Sequence, residues 1–186
     1  TEENIARGDP FGVYKSGHEV AMFIRIAANN IRVSLMLFST GILAGVGSLY
    51  LLFENGIMLG TFQQLFFAKG LGWASVLVIW IHGTLEISSV IIAGTSGLIL
   101  GHALLFPGTY TRIESLKRGA RDAVKIIFGI LPFFLLAAFF EGFVTRHTHM
   151  PVGLSLSILL FSAALIIWYF ILYPRQLQKA VSKQVS

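Results

Sequence analysis

The run ISSVIIAGTSGLILGHALLF, residues Ile87–Phe106, contains no aspartate, glutamate, lysine or arginine. A helix of about 20 residues rises about 30 Å, which is the thickness of the hydrocarbon core of a bilayer. The rest of the 186-residue chain is similar in character, with 55% hydrophobic and only 12% charged residues. A soluble domain usually carries about twice that charged fraction. The sequence therefore predicts an all-α, polytopic membrane protein.

Three further apolar segments have the length and composition of membrane spans. They are Val33–Phe53, Ile126–Phe140 with an extension to about Val144, and Pro151–Pro174. Between the first of them and Ile87, residues 57–83 hold two apolar pieces of about 12 residues each, separated by Lys69-Gly70. Pieces of that length are too short to cross a bilayer alone. We therefore expect four spanning helices plus a broken, re-entrant helical hairpin over residues 57–83.

The N-terminal part of the chain has a different pattern. Val20, Phe23, Ile24 and Ala27 fall on one helical stripe, which is typical of a short amphipathic helix at the membrane surface. The predicted organisation is thus a cytoplasmic N-terminal segment with an interfacial helix (1–29), a transmembrane domain (30–174) and a cytoplasmic tail (175–186).

The basic residues predict the orientation of the chain. They concentrate before the first predicted span, in the region 107–125 and in the tail: Arg7, Lys15, Arg25, Arg32; Arg112, Lys117, Arg118, Arg121, Lys125; Arg175, Lys179, Lys183. Lysine and arginine are enriched on the cytoplasmic side of membrane proteins. We therefore expect a multi-pass protein of the cytoplasmic (inner) membrane with both termini cytoplasmic. This distribution accounts for the net charge of +5 without a nucleic-acid partner.

Small residues recur at intervals of about one helical turn and indicate close helix packing. They are Gly41 and Gly45 in the first predicted span, Gly56 and Gly60 in the hairpin, and Ala93, Gly97 and Gly101 in the run quoted above. Helices in lipid associate where small residues let their backbones approach. We expect these faces to meet within the chain, and the same faces could join two chains in a homodimer.

Ionisable side chains inside apolar helices usually face the protein interior and mark function. His82 and Glu86 lie four residues apart, on one face of a continuous helix. Glu141 lies near the far end of the next predicted crossing, followed by Arg146 and His147. Because that crossing returns antiparallel to the previous one, we expect His82, Glu86 and Glu141 to share the outer layer of the membrane.

Three interpretations of this polar cluster remain open. The first is structural, with a Glu–His or Glu–Arg pair that includes Arg146 and fixes the hairpin against the helix ends. The second is a proton- or ion-coupled pathway through the carboxyl groups. The third is a metal site with His82, Glu86 and Glu141 or His147 as ligands, although the HExxH arrangement of zinc hydrolases is not present. The chain has no cysteine, which excludes thiolate ligands, and no cofactor other than such a metal ion is expected.

Several motifs resemble the stage II sporulation protein M family. They are His82–Glu86 (HGTLE), Ile91–Gly94 (IIAG), Gly97–Gly101 (GLILG), Asn55-Gly56 and Glu141–Arg146 (EGFVTR), in the family's order. The resemblance covers roughly residues 24–173. It implies a prokaryotic cytoplasmic-membrane protein, with His82, Glu86 and Glu141 at recurring polar positions of the family to which no catalytic role is attached.

The same resemblance implies a function. Founding members act in engulfment of the forespore, where they anchor peptidoglycan-degrading partners, whereas many relatives occur in organisms that do not sporulate. We therefore expect a non-enzymatic scaffold that binds membrane lipid and envelope proteins such as peptidoglycan hydrolases. The alternatives are a small proton- or ion-coupled transporter and, third, an intramembrane metal-dependent enzyme.

Overall fold

The protein is represented by a computed structural model that describes residues 19–145 and 151–185, with side chains as far as residue 182. Every regular element within these ranges is helical. The helices are α1 (Glu19–Thr40), α2 (Val46–Ala68), α3 (Gly72–Leu105), α4 (Arg112–Phe139), α5 (Val152–Ile167) and α6 (Tyr173–Val185). Wide π-helical turns follow α4 at Phe140–Val144 and α5 at Trp168–Leu172. The predicted all-α, polytopic class is confirmed.

Four helical segments are long and apolar enough to cross a membrane. They are Glu19–Thr40, Gly72–Leu105, Arg112–Val144 and Val152–Ser182. The last is the least buried, with only 11% of its most apolar window inside the protein, so most of its side chains are available to lipid. α2 is not among the four, because its 23 residues include Glu54, Asn55 and two adjacent glutamines.

The predicted first span, residues 33–53, is wrong in its limits. The structure divides it with a turn between α1 and α2, where Ala44 and Gly45 adopt positive φ angles of 56° and 81°. The turn is closed by a 2.8 Å hydrogen bond from the Gly45 amide to the Gly41 carbonyl. Hydropathy does not reveal this turn, because its residues are as apolar as the helices beside it. Residues 19–29, predicted as a separate interfacial helix, are instead the first half of α1.

The break predicted at Lys69-Gly70 is present, since α2 ends at Ala68 and α3 begins at Gly72. Gly70 supplies the left-handed conformation of this turn, with φ at 72°. The two arms contain 23 and 34 residues, far longer than the predicted pieces of about 12, and α3 continues without interruption through Gly83. The short re-entrant form of the hairpin is therefore not seen.

The first three helices alternate in direction along the bundle. α1 and α3 run parallel, because Gly41 lies against Gly97 and Gly45 lies against Gly101. α2 returns between them, with Leu52 against Gly94. The start of α1 and the end of α3 therefore lie at opposite ends of the bundle. The predicted topology placed the N-terminal segment on the same side as residues 107–125, and the direction of α1 does not fit it.

α4 runs antiparallel to α3 and fixes the depth of the later helices. Near its start, the Ser115 hydroxyl donates a 2.7 Å hydrogen bond to the Ala103 carbonyl near the end of α3. The basic region 107–125 becomes helical at Arg112. Thr111 caps this helix, because its side chain accepts a hydrogen bond from the Glu114 amide at 3.3 Å. α5 then returns, and Phe133 of α4 contacts Tyr169 at 5.0 Å between ring centroids.

Small residues form the contact between α1, α2 and α3. A Cβ atom added to Gly97 would lie less than 3.0 Å from the Ser48 hydroxyl and from the Leu37 carbonyl. These two groups are themselves joined by a 2.6 Å hydrogen bond. The side chain of Ala93 is completely buried in the same core. The contact is therefore one of backbone against backbone, as expected where lipid tails offer helices little hydrophobic driving force.

Two of the predicted packing positions are not part of this contact. Cβ atoms added to Gly56 or Gly60 would meet nothing within 4 Å. α2 touches α3 closely at Ser48 and Leu52, and farther along a cavity lined in part by Gly56 opens between the two helices. The prediction that all the glycine faces meet was therefore wrong for this half of α2.

Candidate functional site

Three ionisable side chains converge at one end of the bundle. Single ligand atoms of His82, Glu86 and Glu141 all lie within 4.8 Å of one another. The Nε2 atom of His82 is 3.9 Å from the Oε2 atom of Glu141. We refer to these three residues as the polar cluster. It joins the first half of α3 to the end of α4, across 55 residues of sequence.

Local backbone structure sets the position of each member. α3 is a continuous helix at residues 82–86, so the spacing of four places His82 and Glu86 on one face. Glu141 lies in the π-helical turn Phe140–Val144. A π-helical turn widens the helix and changes the direction of its side chains, and such turns are frequent at functional sites.

The imidazole of His82 is held from its far side. Its Nδ1 atom is 3.2 Å from the hydroxyl oxygen of Thr145, and this hydroxyl donates to the Phe140 carbonyl at 3.1 Å. Because the single hydroxyl hydrogen is used there, the oxygen accepts from the ring Nδ1–H. With this arrangement, the neutral ring carries its lone pair on Nε2, the atom that lies 3.9 Å from Glu141 Oε2. The contact with Thr145 therefore orients His82 and favours this tautomer.

The cluster is screened from the outside. His82 is 5% exposed and Thr145 is 1% exposed, and the Glu141 side chain is 17% exposed. Within residues 19–145 and 151–185, no lysine or arginine forms an ion pair with Glu86 or Glu141. Two carboxyl groups thus lie in a poorly solvated place, with His82 beside Glu141 but no lysine or arginine partner from the described ranges.

Asn30 approaches the cluster from α1. Its amide group lies against the Glu86 carboxyl group and is 2% exposed. Within the part of the chain that the structure describes, its Nδ2 atom makes no hydrogen bond of acceptable geometry. A buried amide that is close to a carboxyl group but poorly aligned with it is unusual, because its desolvation is only partly offset.

A cavity of about 750 Å³ opens beside these residues. It is a partly open cavity lined by α1, α2, α3 and the π-helical turn, and its polar lining consists of Arg25, Asn29, Asn30, Asn55, His82, Glu86 and Glu141. The remaining lining is apolar and includes Leu52, Phe62 and Ile79. A large apolar pocket with a few converging polar groups is the usual form of a small-molecule or ion site.

Three of the predicted site residues come together in the structure, and two lie outside the described residues. The structure brings His82, Glu86 and Glu141 together, whereas Arg146 and His147 lie outside the described residues. Sequence reasoning missed Asn30 and Thr145 as members of the site. The pair Asn29-Asn30 is a visible polar signal within an apolar stretch, but the sequence alone does not place it beside Glu86.

The arrangement offers one imidazole nitrogen and two carboxyl groups to a space that can admit water. Such a set can form ion pairs and hydrogen bonds, pass a proton, or bind a cation. Each of these functions would use His82, Glu86 and Glu141, which lie between α1 and the π-helical turn.

The family model described as Stage II sporulation protein M matches residues 2–146. This chain belongs to the stage II sporulation protein M family. The match includes all of α1 to α4 and every residue of the polar cluster, whereas α5 and α6 lie beyond it. Comparisons with curated proteins and with solved structures find no match. The family resemblance of the sequence motifs is thus confirmed, and this family member is a membrane helical bundle.

Proposed function

We propose that this protein is a non-enzymatic scaffold of the cytoplasmic membrane that anchors envelope-remodelling partners, among them peptidoglycan hydrolases. Membership of the stage II sporulation protein M family over residues 2–146 carries this proposal. The polar cluster would serve the scaffold by tying α3 to the end of α4.

The proposed orientation follows from charge. The end of the bundle that contains the α3–α4 connection carries most of the basic residues of the described chain: Arg112, Lys117, Arg118, Arg121, Lys125, Arg175 and Lys179. We place this end in the cytoplasm. The polar cluster then lies toward the outer face of the membrane, and so does the start of α1.

The cytoplasmic end offers an ordered polar surface for partners. Arg118 donates to Glu114 at 3.1 Å and covers the Tyr110 ring at 4.0 Å from the centroid. A shallow groove beside them is lined by Glu114, Arg118, Arg121, Asp122 and Lys125. These side chains are exposed, so they contribute little to stability and are free to contact another protein.

A single labelling experiment tests the orientation, since the chain has no cysteine. Lys69→Cys lies in the α2–α3 turn and Thr109→Cys in the α3–α4 connection, and both positions are exposed. We expect a membrane-impermeant maleimide added to intact cells to label Lys69→Cys, and to label Thr109→Cys only after lysis. Labelling of both positions from one side would contradict the arrangement.

A proton- or ion-coupled passage is the second candidate function. The specific observation in its favour is the cavity of about 750 Å³ with Glu86 and Glu141 in its wall. The hairpin of α2 and α3 would line this passage. A scaffold needs no such cavity, whereas a pathway needs one with groups that exchange protons or ions.

Glu86→Gln separates the two functions, because it removes the charge and nearly preserves the shape of the side chain. Tagged protein should co-purify with peptidoglycan-degrading activity, measured on a peptidoglycan gel, and this activity should survive Glu86→Gln. Proteoliposomes with a pH-sensitive dye measure proton flux in the same variant. Absence of bound hydrolytic activity from the wild-type complex, together with flux that Glu86→Gln abolishes, would replace the scaffold by the passage.

A further inference from the structure

We propose that His82, Glu86 and Glu141 form a binding site for one divalent transition-metal ion, of the class of Zn²⁺ or Mn²⁺. The proposal goes beyond the scaffold function and does not depend on it. It stands on the distances between the donors, on the contact that orients the imidazole, and on the poorly aligned amide beside the carboxyl groups.

The donor atoms are already close to the spacing that one ion requires. Zinc–ligand bonds to histidine nitrogen and carboxylate oxygen are about 2.0–2.2 Å, so two ligands of one ion lie no more than about 4.4 Å apart. The His82 Nε2–Glu141 Oε2 separation of 3.9 Å meets this limit, and the whole set lies within 4.8 Å. A small rotation of one carboxyl group brings all three donors onto a common ion.

The orientation of His82 suits a metal ligand. Ligating histidines usually donate their other ring N–H to an oxygen, which fixes the tautomer and directs the lone pair at the ion. Thr145 provides this oxygen at 3.2 Å from Nδ1. The Nε2 lone pair is thereby directed toward Glu141, on the inner side of the polar cluster.

Asn30 supports a ligand from the side of α1. Its side chain is 2% exposed and lines the cavity, and its amide lies against the Glu86 carboxyl group without a well-aligned hydrogen bond from Nδ2 among the described residues. If Glu86 rotates toward an ion, one of its oxygens becomes a ligand and the other faces the Asn30 amide. The amide would then donate to that oxygen, and its missing hydrogen bond would be made.

Charge favours a cation in this place. Glu86 and Glu141 have no lysine or arginine partner within the described ranges, and Arg25 lines the cavity with an exposed side chain. A divalent ion would compensate both carboxylates at once. The adjoining cavity leaves space for water or a small anionic ligand to complete the coordination shell.

The donor set selects the class of metal. One imidazole with two carboxylates suits Zn²⁺, Mn²⁺ and Fe²⁺, whereas Mg²⁺ prefers oxygen ligands in a strict octahedron and keeps several waters. We therefore expect Zn²⁺ to bind more tightly than Mn²⁺, in keeping with the general order of affinities, and Mg²⁺ to bind least tightly.

The test uses the full chain in lipid nanodiscs, freed of metal with a chelator and titrated with Zn²⁺, Mn²⁺ or Mg²⁺ by calorimetry. We expect one Zn²⁺ per chain, confirmed by elemental analysis. His82→Ala and Glu141→Gln should weaken binding by about 100-fold or more, and Asn30→Ala by about 10-fold. The matched controls are His102→Ala and Glu54→Gln, which change an exposed histidine and an exposed carboxylate outside the cluster.

Several outcomes would overturn the site. They are failure of the wild-type chain to take up Zn²⁺ or Mn²⁺, unchanged affinity in Glu141→Gln, or an equal loss in His102→Ala. Glu86→Gln and Glu141→Gln nearly preserve side-chain shape, so they report on the ligands even if His82→Ala does not fold. Because binding is measured on the purified chain, its failure is distinct from failure of the scaffold function, which is measured with partners.

Discussion

Gly97→Leu is expected to prevent the accumulation of folded protein in the membrane. A Cβ atom at this position would lie less than 3.0 Å from the Ser48 hydroxyl and the Leu37 carbonyl, so α1 and α2 would both have to move away from α3. Overpacking of a filled core typically costs about 1–3 kcal/mol, and separation would also break the Ser48–Leu37 hydrogen bond, worth about 1 kcal/mol. The sum is a large part of the stability of an ordinary domain.

The control for this experiment is Gly60→Leu. Gly60 is also a helical glycine, but a Cβ atom there would meet nothing within 4 Å. Both variants add the same apolar side chain, so they differ only in the contact. Fluorescence-detected size-exclusion after heating measures the folded fraction. If Gly97→Leu were as heat-resistant as Gly60→Leu, the close packing of α1, α2 and α3 would be wrong.

The membrane class could be predicted from the sequence, whereas the first two helix boundaries could not. In lipid, the backbone N–H and C=O groups of a long uncharged run such as Ile87–Phe106 can be hydrogen-bonded only in a helix or a closed barrel. Hydropathy identifies such runs. It does not find a turn made of apolar residues, and residues 41–45 read GILAG. What divides α1 from α2 there is the left-handed backbone at Ala44 and Gly45. Missing that turn led to the wrong direction for α1.

Predicting the polar cluster required less information than predicting the whole topology. His82 and Glu86 needed only helical spacing, and Glu141 needed only that α4 return antiparallel to α3 after a short connection. Those features survive the error in α1. Asn30 could not be found in this way, because its place beside Glu86 depends on α1 running parallel to α3. Thr145 could not be found either, since its contact with His82 follows from the π-helical turn before it.

Glu141→Gln is expected to have opposite effects on stability and on metal binding. The Glu141 carboxyl group lies within 4.8 Å of a second carboxyl group, and within the described residues neither pairs with lysine or arginine. A neutral amide of the same shape removes this repulsion and much of the cost of burying charge. Replacement of a whole buried ion pair by neutral groups is often stabilising, and removal of one of two carboxyl groups that repel each other should act in the same direction. Each kcal/mol corresponds to about 2–4 °C in a chain of this size.

The measurement is the thermal unfolding midpoint of the chain in nanodiscs, with chelator and with Zn²⁺. In chelator, we expect Glu141→Gln to unfold at a higher temperature than the wild type. Added Zn²⁺ should raise the midpoint of the wild type but not that of Glu141→Gln, because a bound ion stabilises only the folded state that holds it.

The control Glu54→Gln, at an exposed carboxylate, should behave as the wild type does in both conditions. A lower midpoint for Glu141→Gln in chelator would instead mean that Glu141 stabilises the empty protein as the ionic partner of His82. If Zn²⁺ also failed to raise the midpoint of the wild type, the structural interpretation of the polar cluster would replace the metal site.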